Sequence, residues 1–151
     1  MKPLNELKIA IASDHAGFDR KSGITPWLAD HVAVLHDFGT HTSDSCDYPD
    51  FGHQLAEAVE NGDYDYGVAI CGSGNGINMT VNKHQGIRAA LCWTPELAAL
   101  ARQHNNANVL SLPGRFVDDA SALEMVKTFL TTDFEGGRHQ RRLDKVPIKT
   151  K

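Results

Sequence analysis

Short apolar runs alternate with longer amphipathic segments along the chain. The apolar runs have strand-like lengths and are bounded by turn-forming residues. They predict five strands, at residues 7–12, 33–35, 66–71, 88–92 and 109–112. Apolar residues at helical spacing predict helices over 18–31, 51–61, 77–83, 94–104 and 118–131. This alternation is typical of α/β proteins with a Rossmann-like, doubly wound parallel sheet and helices on both faces, in three layers.

Two segments interrupt this regular pattern. Gly23 and Pro26 lie inside the first helical segment and disfavour an unbroken helix there. Residues 39–50 are polar and rich in turn formers, and they are about as long as a loop becomes in a compact domain without a functional reason. We therefore treat residues 39–50 as a candidate site loop.

Length and composition narrow the class of protein. With 151 residues, 41% of them hydrophobic, we expect one domain over residues 1–151, with a basic tail from about residue 134. The net charge of -4 disfavours nucleic-acid binding. Without a signal peptide or an apolar stretch long enough for a membrane, we expect a cytoplasmic protein that does not bind membranes. Three widely spaced cysteines argue against a disulfide framework and a zinc knuckle.

The segment 71–76, Cys-Gly-Ser-Gly-Asn-Gly, is the most informative motif. It joins a predicted strand to a predicted helix, and its three glycines let backbone N–H groups approach an anion or a developing oxyanion. Ile77 stands where a dinucleotide fingerprint would need glycine and where a cysteine phosphatase would need arginine, and the chain has no Walker Gly-Lys-Ser/Thr. What remains is a thiol beside N–H donors, suited to enediolate chemistry. A tight turn beside a buried cysteine explains the segment equally well.

Other polar residues fall at predicted strand or helix ends. Asp14 and His15 follow the first strand, and His104 and Asn105 close a helix, although capping alone explains such residues. We expect all of these residues to meet the glycine loop at one rim of the sheet.

The basic tail offers a possible phosphate site. Arg138 and Arg142 lie one helical turn apart, so that they could share a phosphate dianion, although a solvated basic face is the commoner reason for such spacing. His36, His41 and Cys46 have no regular ligand spacing, and we expect no metal site.

Six blocks, in order along nearly the whole chain, are similar to type B ribose-5-phosphate isomerase, a family that also contains allose 6-phosphate and galactose 6-phosphate isomerases. The blocks are residues 14–18, 47–49, 71–76, 82–88, 102–110 and 135–139. The resemblance implies a Rossmann-like homodimer or dimer of dimers, with the active site at the subunit interface and no metal or cofactor.

The resemblance also implies roles for individual residues. Cys71 would be the base that removes the C2 proton of the open-chain aldose, and Gly72, Gly74, Asn75 and Gly76 would hold the enediolate. Asp14, Ser73 and His104 would act in ring opening and proton transfer, with His104 as the proton donor. The remaining residues would bind the substrate, the sugar hydroxyls through Tyr48 and Asn105 and the phosphate through His15, Arg115, Arg138 and Arg142.

Departures from the family pattern are modest. Ser73 stands where threonine is frequent, and Ile77 and Asn78 are not the glutamate that some members use instead of the cysteine. We therefore expect an aldose-ketose isomerase that interconverts D-ribose 5-phosphate and D-ribulose 5-phosphate. The alternatives are an isomerase of allose or galactose 6-phosphate and a non-catalytic module that binds sugar phosphates.

Overall fold

A computed structural model describes residues 1–149 of the chain and contains one five-stranded sheet. A 3-10 turn at Leu4–Glu6 precedes the first strand. The elements are β1 Lys8–Ser13, α1 Phe18–His31, β2 Val34–Asp37, α2 Tyr48–Glu60, β3 Tyr66–Cys71, α3 Asn75–Val81, β4 Ala89–Leu91, α4 Pro95–Asn105, β5 Val109–Pro113, α5 Asp119–Leu130 and α6 Arg138–Leu143. The predicted α/β class and all five predicted strands are confirmed.

The strands are all parallel, in the order β2-β1-β3-β5-β4. β1 and β3 are neighbours, with Ile9 beside Tyr66 and Ser13 beside Ile70. The loop that leaves β1 leads to α1 on one face of the sheet, whereas the loop that leaves β3 leads to α3 on the other. Such a divergence opens a crevice at the carboxyl ends of the two strands, where ligands bind in folds of this class.

Side chains of each central strand alternate between two cores. Ile9 and Ile11 of β1 pack with α1, α4 and α5, while Ala10 and Ala12 pack with α2 and α3. Cys71 belongs to the second core, so its side chain lies on the side of the sheet that α2 and α3 cover. The predicted three-layer arrangement is confirmed.

The expected break in the first helix is wrong, because α1 runs unbroken from Phe18 to His31. A Cβ atom at Gly23 would lie 2.3 Å from a carboxylate oxygen of Asp119, so the glycine permits α5 to pack closely against α1. Pro26 removes one backbone N–H, but the buried side chains of Ile24 and Leu28 anchor the helix on both sides of it.

The candidate loop is shorter than predicted. α2 begins at Tyr48 rather than at residue 51, with Pro49 in its first turn, a position that suits the fixed φ of proline. Tyr48 is therefore held by a helix, at the point where the loop ends. None of the helices within residues 1–149 has the length and apolar character needed to cross a membrane.

An ion pair between a buried lysine and a partly exposed aspartate holds the start of the candidate loop. The Lys21 side chain is 2% exposed, and its Nζ lies 2.7 and 2.8 Å from the two carboxylate oxygens of Asp37. Asp37 also accepts the N–H of Gly39 at 2.8 Å, and Lys21 Nζ donates to the carbonyl of Thr40. Ser13, at the end of β1, exchanges two backbone hydrogen bonds of 2.7 Å with Gly39 and Thr40. The ion pair thus fixes the loop to the end of β1.

We expect the Asp37→Ala variant to lose about 3 kcal/mol of unfolding free energy, because the Lys21 ammonium would stay buried without its counter-ion. Urea unfolding measures this loss. Lys2→Ala, which breaks the exposed Lys2–Asp65 pair, is the matched control and should leave the unfolding midpoint nearly unchanged. Equal shifts in the two variants would contradict a special role for the buried pair.

Candidate active site

The glycine loop joins β3 to α3 at the carboxyl edge of the sheet. Gly74 has a φ of +76°, and a Cβ atom there would lie 2.5 Å from the Leu91 side chain, so both conformation and space require glycine. The carbonyl oxygens of Cys71 and Gly72 accept backbone N–H groups at 2.8 and 3.0 Å, which fixes the path of the loop. Its amides therefore have a defined orientation relative to the Cys71 thiol.

Several loop amides are available to a ligand. Asn75 N–H donates to Ser73 Oγ at 3.2 Å. By contrast, across residues 1–149 the N–H groups of Ser73, Gly74 and Gly76 have no hydrogen-bond acceptor. Free donors fixed in one loop provide the arrangement that stabilises a developing oxyanion. The thiol beside them is only 4% exposed.

Tyr48 closes one side of the loop. A Cβ atom at Gly76 would lie 2.4 Å from Cζ of Tyr48, so the phenol ring packs directly on the glycine backbone. The first turn of α2 and the glycine loop therefore meet, although they are more than twenty residues apart in the sequence. An open cleft beside Tyr48 is lined by Asp14, His15 and residues 45–50, which end the loop and begin α2.

Asp14 and His15 lie next to this cleft, at the end of β1. Asp14 is buried, and its Oδ1 accepts the N–H of Gly17 at 2.9 Å. His15 Nδ1 accepts the N–H of Cys46 at 3.2 Å, which assigns the proton of a neutral His15 ring to Nε2. His15 can therefore donate a hydrogen bond to an anion while it remains uncharged.

Arg115 borders the loop from the end of β5. Its N–H donates to the Gly72 carbonyl, and its guanidinium lies 3.6 Å from the position that a Gly72 Cβ would take. The structure thus brings together, at one edge of the sheet, nine of the residues that the sequence singles out: Asp14, His15, Tyr48, Cys71, Gly72, Ser73, Gly74, Gly76 and Arg115. Asn75 lies there too, in the first turn of α3.

The expected single rim is wrong for His104 and Asn105. Both belong to the last turn of α4, which starts at the carboxyl edge of the sheet and returns to the amino edge, where β5 begins. The Asn105 carbonyl accepts Nε of Arg88, the residue before β4, at 3.0 Å. A helix that connects parallel strands must reverse direction, so its two ends lie at opposite edges of the sheet. A six-residue strand separates those edges by about 20 Å.

The basic tail joins His104 at the amino edge. The N–H of Glu135 donates to the Gln103 carbonyl at 3.0 Å, which sets α6 beside the end of α4. Buried His139 and Leu143 seat α6, whereas Arg138 and Arg142 are exposed on a common face, as their spacing predicts.

A possible metal donor set lies in this second cluster, away from His36 and His41. The donor atoms of His104, Glu135 and His139 all lie within 4.8 Å of one another. The two imidazole rings are stacked, however, so their nitrogen lone pairs run side by side instead of converging on one point. Arg138 and Arg142 add positive charge nearby, and the set is therefore poorly suited to a cation.

The three cysteines are all free but differ in environment. Burial raises the pKa of the Cys92 thiol to about 11, so Cys92 stays protonated at neutral pH. Cys46 is partly exposed in the candidate loop. Only Cys71 of the three borders the free amides of the glycine loop.

The sequence patterns assign no functional or structural role to four residues that the structure shows to be important: Lys21, Asp37, Glu135 and His139. A buried lysine has no sequence signature, since its partner comes from another element. Glu135 and His139, four residues apart, fall inside the block 135–139 that the sequence singles out, so a signal for this pair was available.

Known proteins resemble this chain over nearly its whole length. The Ribose/Galactose Isomerase family model matches residues 9–146. A protein of Mycoplasma genitalium named probable ribose-5-phosphate isomerase B is 48% identical over 140 residues, covering 91% of this chain and 92% of the relative.

Solved structures show the same fold. A ribose 5-phosphate isomerase from Thermotoga maritima has a TM-score of 0.90 at 44% identity, covering 93% of this chain and 97% of that one. Ribose-5-phosphate isomerase B from Mycoplasma genitalium was solved with bound ribulose-5-phosphate. It has a TM-score of 0.86 at 47% identity, and the match covers 92% of this chain and 93% of that one. The chain has the glycine loop and the cleft described above, and the family model matches residues 9–146. The chain therefore belongs to the Ribose/Galactose Isomerase family.

Proposed function

We propose that the protein interconverts D-ribose 5-phosphate and D-ribulose 5-phosphate, with Cys71 as the base. The observation that carries this proposal is the Cys71 thiol at the start of a loop whose amide N–H groups at Ser73, Gly74 and Gly76 lack acceptors among the described residues 1–149. A thiol supplies the proton transfer, and the amides stabilise negative charge on the substrate oxygen. The relative that was solved with ribulose-5-phosphate supports the choice of a pentose phosphate.

Ring opening comes first, because aldopentose phosphates are mostly cyclic. His104 donates a proton to the ring oxygen, and the Asp14 carboxylate accepts the proton of the anomeric hydroxyl. The bond between C1 and the ring oxygen breaks, and the open-chain aldehyde forms. Oδ1 of Asp14 is held by the Gly17 N–H, so the second carboxylate oxygen is the one available for this proton.

Isomerisation then proceeds through an enediolate. The Cys71 thiolate takes the C2 proton, and the electron pair of the C–H bond forms the C1=C2 double bond while negative charge moves to O1. The loop amides hold this oxygen, and the Ser73 hydroxyl assists the transfer of a proton from O2 to O1. The Cys71 thiol then returns its proton to C1, which gives the ketose.

Binding groups surround these reacting atoms. We assign the sugar hydroxyls to Tyr48 and Asn105. The phosphate dianion is held by His15, Arg115, Arg138 and Arg142, since guanidinium groups bind phosphate oxygens in pairs. The proton on His15 Nε2 adds a neutral donor to this set.

We further propose that the active site is shared between two copies of the chain. Cys71 and Asp14 lie at the carboxyl edge of the sheet, whereas His104, Arg138 and Arg142 lie at the amino edge of the same copy, about 20 Å away. A proton donor must lie within hydrogen-bond reach of its substrate atom. The amino edge of a second copy must therefore complete each site, as a homodimer or a dimer of dimers.

An exposed apolar surface beside the glycine loop supports this assembly. Trp93 is 59% exposed and Phe116 is 77% exposed, and both line a shallow apolar cleft together with Ser73 and Asn75. Large aromatic side chains exposed in a group are typical of protein interfaces. A second copy that covers them would also exclude water from the enediolate.

None of these steps calls for a metal or a cofactor, because electrons and protons move only within the substrate and between it and the side chains. The three free cysteines support a cytoplasmic location, where thiols stay reduced.

In heavy water, the wild-type protein should place deuterium at C1 of the ketose product, because the proton on Cys71 exchanges with solvent before its return. We expect Cys71→Ala to lower kcat by about a thousandfold or more and to abolish this exchange, since the base is gone. NMR of the product measures the label.

Cys46→Ala and Cys92→Ala are the matched controls and should retain activity and exchange. Near-normal kcat in Cys71→Ala would refute the assignment of the base, and ketose formation without exchange in the wild type would favour a hydride shift.

Co-expression of Cys71→Ala with His104→Ala should restore activity if each site takes Cys71 from one copy and His104 from the other. Random pairing gives about a quarter of the wild-type sites, because half of the dimers are mixed and each mixed dimer has one intact site. Each variant alone should show far lower turnover of ribose 5-phosphate. Failure of the mixture to exceed the separate variants would contradict a shared site.

A further inference from the structure

Two histidines from different helices form a stack at the amino edge of the sheet. The ring of His104, in the last turn of α4, lies with its centroid 4.3 Å from that of His139 on α6, and the ring planes differ by 12°. Face-to-face contact with a flat ring restricts how far the His104 imidazole can rotate about its side-chain bonds.

Packing alone does not account for a histidine at position 139. The side chain is 7% exposed, and its Nε2 has no hydrogen-bond partner within residues 1–149. Glu135 Oε2 lies 3.5 Å from this nitrogen but without hydrogen-bond geometry. An unpaired buried nitrogen costs stability that an apolar side chain would not, so a flat ring at this position needs another explanation.

The surroundings of His139 keep its ring uncharged at neutral pH. Burial is the main cause that lowers the pKa of His139, and His104 on α4 and Arg138 and Arg142 on α6 lower it further, against the opposing charge of Glu135. A neutral His139 ring adds no positive charge beside the ring of His104.

We propose that His139 is a positioning residue, whose ring holds the His104 imidazole in the orientation from which it donates a proton to the ring oxygen of the substrate. This inference rests on the proposed function. His139 acts through His104 and needs no contact with the substrate. Small displacements of a catalytic group slow the reaction strongly, and a shift of about 1 Å can lower the rate about a hundredfold.

The test separates ring opening from the enediolate step. Ribulose 5-phosphate is open-chain, so deuterium uptake at its C1 in heavy water requires Cys71 and the glycine loop but no ring opening. In His139→Leu, which fills the buried site without a flat ring, we expect kcat for ribose 5-phosphate to fall about 10- to 100-fold. Deuterium uptake into ribulose 5-phosphate should change less than about twofold, since the loop is untouched.

Two comparisons sharpen this test. His139→Phe retains a flat ring and should keep most of the wild-type kcat. His31→Ala is the matched control, because His31 stacks on Trp27 with the same 4.3 Å centroid distance, at the end of α1, and its loss should leave both readouts unchanged.

Equal loss of both readouts in His139→Leu would overturn the inference in favour of a general structural role. Equal kcat in the Leu and Phe variants would also overturn it, because ring shape would then be irrelevant. A wild-type protein without isomerase activity would instead refute the proposed function.

Discussion

All five strands run in the same direction, and the organisation of the proposed site depends on this constraint. A parallel sheet collects every strand-to-helix loop at its carboxyl edge and every helix-to-strand loop at its amino edge. The glycine loop after β3 and the residues after β1 consequently lie side by side. The same rule sends the end of α4 and the helix that packs on it to the far edge, so the residues of the proposed site lie at two opposite edges of one copy.

Close backbone approaches at small residues give the carboxyl edge its shape. A Cβ atom at Gly17 would lie 2.6 Å from the Ile70 carbonyl oxygen, so the turn after β1 touches the end of β3. Gly76 accepts the ring of Tyr48 in the same manner. These contacts bring the turn after β1 and the start of α2 to the glycine loop, whose N–H groups at Ser73, Gly74 and Gly76 have no acceptor within residues 1–149.

Two buried polar groups order residues of the proposed site instead of only filling the core. Burying the Lys21 ammonium group is unfavourable by itself, but its ion pair with Asp37 fixes the loop that leads to Tyr48. His139 has a buried nitrogen without a hydrogen-bond partner in the described part of the chain, while its ring covers that of His104. In both cases the polar group lies behind a proposed functional residue and orders it from outside the substrate's reach.

The order of strands and helices, the glycine loop and the one-turn spacing of Arg138 and Arg142 can be read from the sequence, because these features depend on local periodicity and turn chemistry. The sequence also contained the motif blocks that identify the family. It did not determine that α1 continues through Pro26, since the packing of Ile24 and Leu28 outweighs one lost hydrogen bond. The folded structure was needed to show which candidate residues share an edge of the sheet, which partner neutralises Lys21 and which ring covers His104. Those facts follow from chain direction and from contacts between distant segments, and neither can be read from a local pattern.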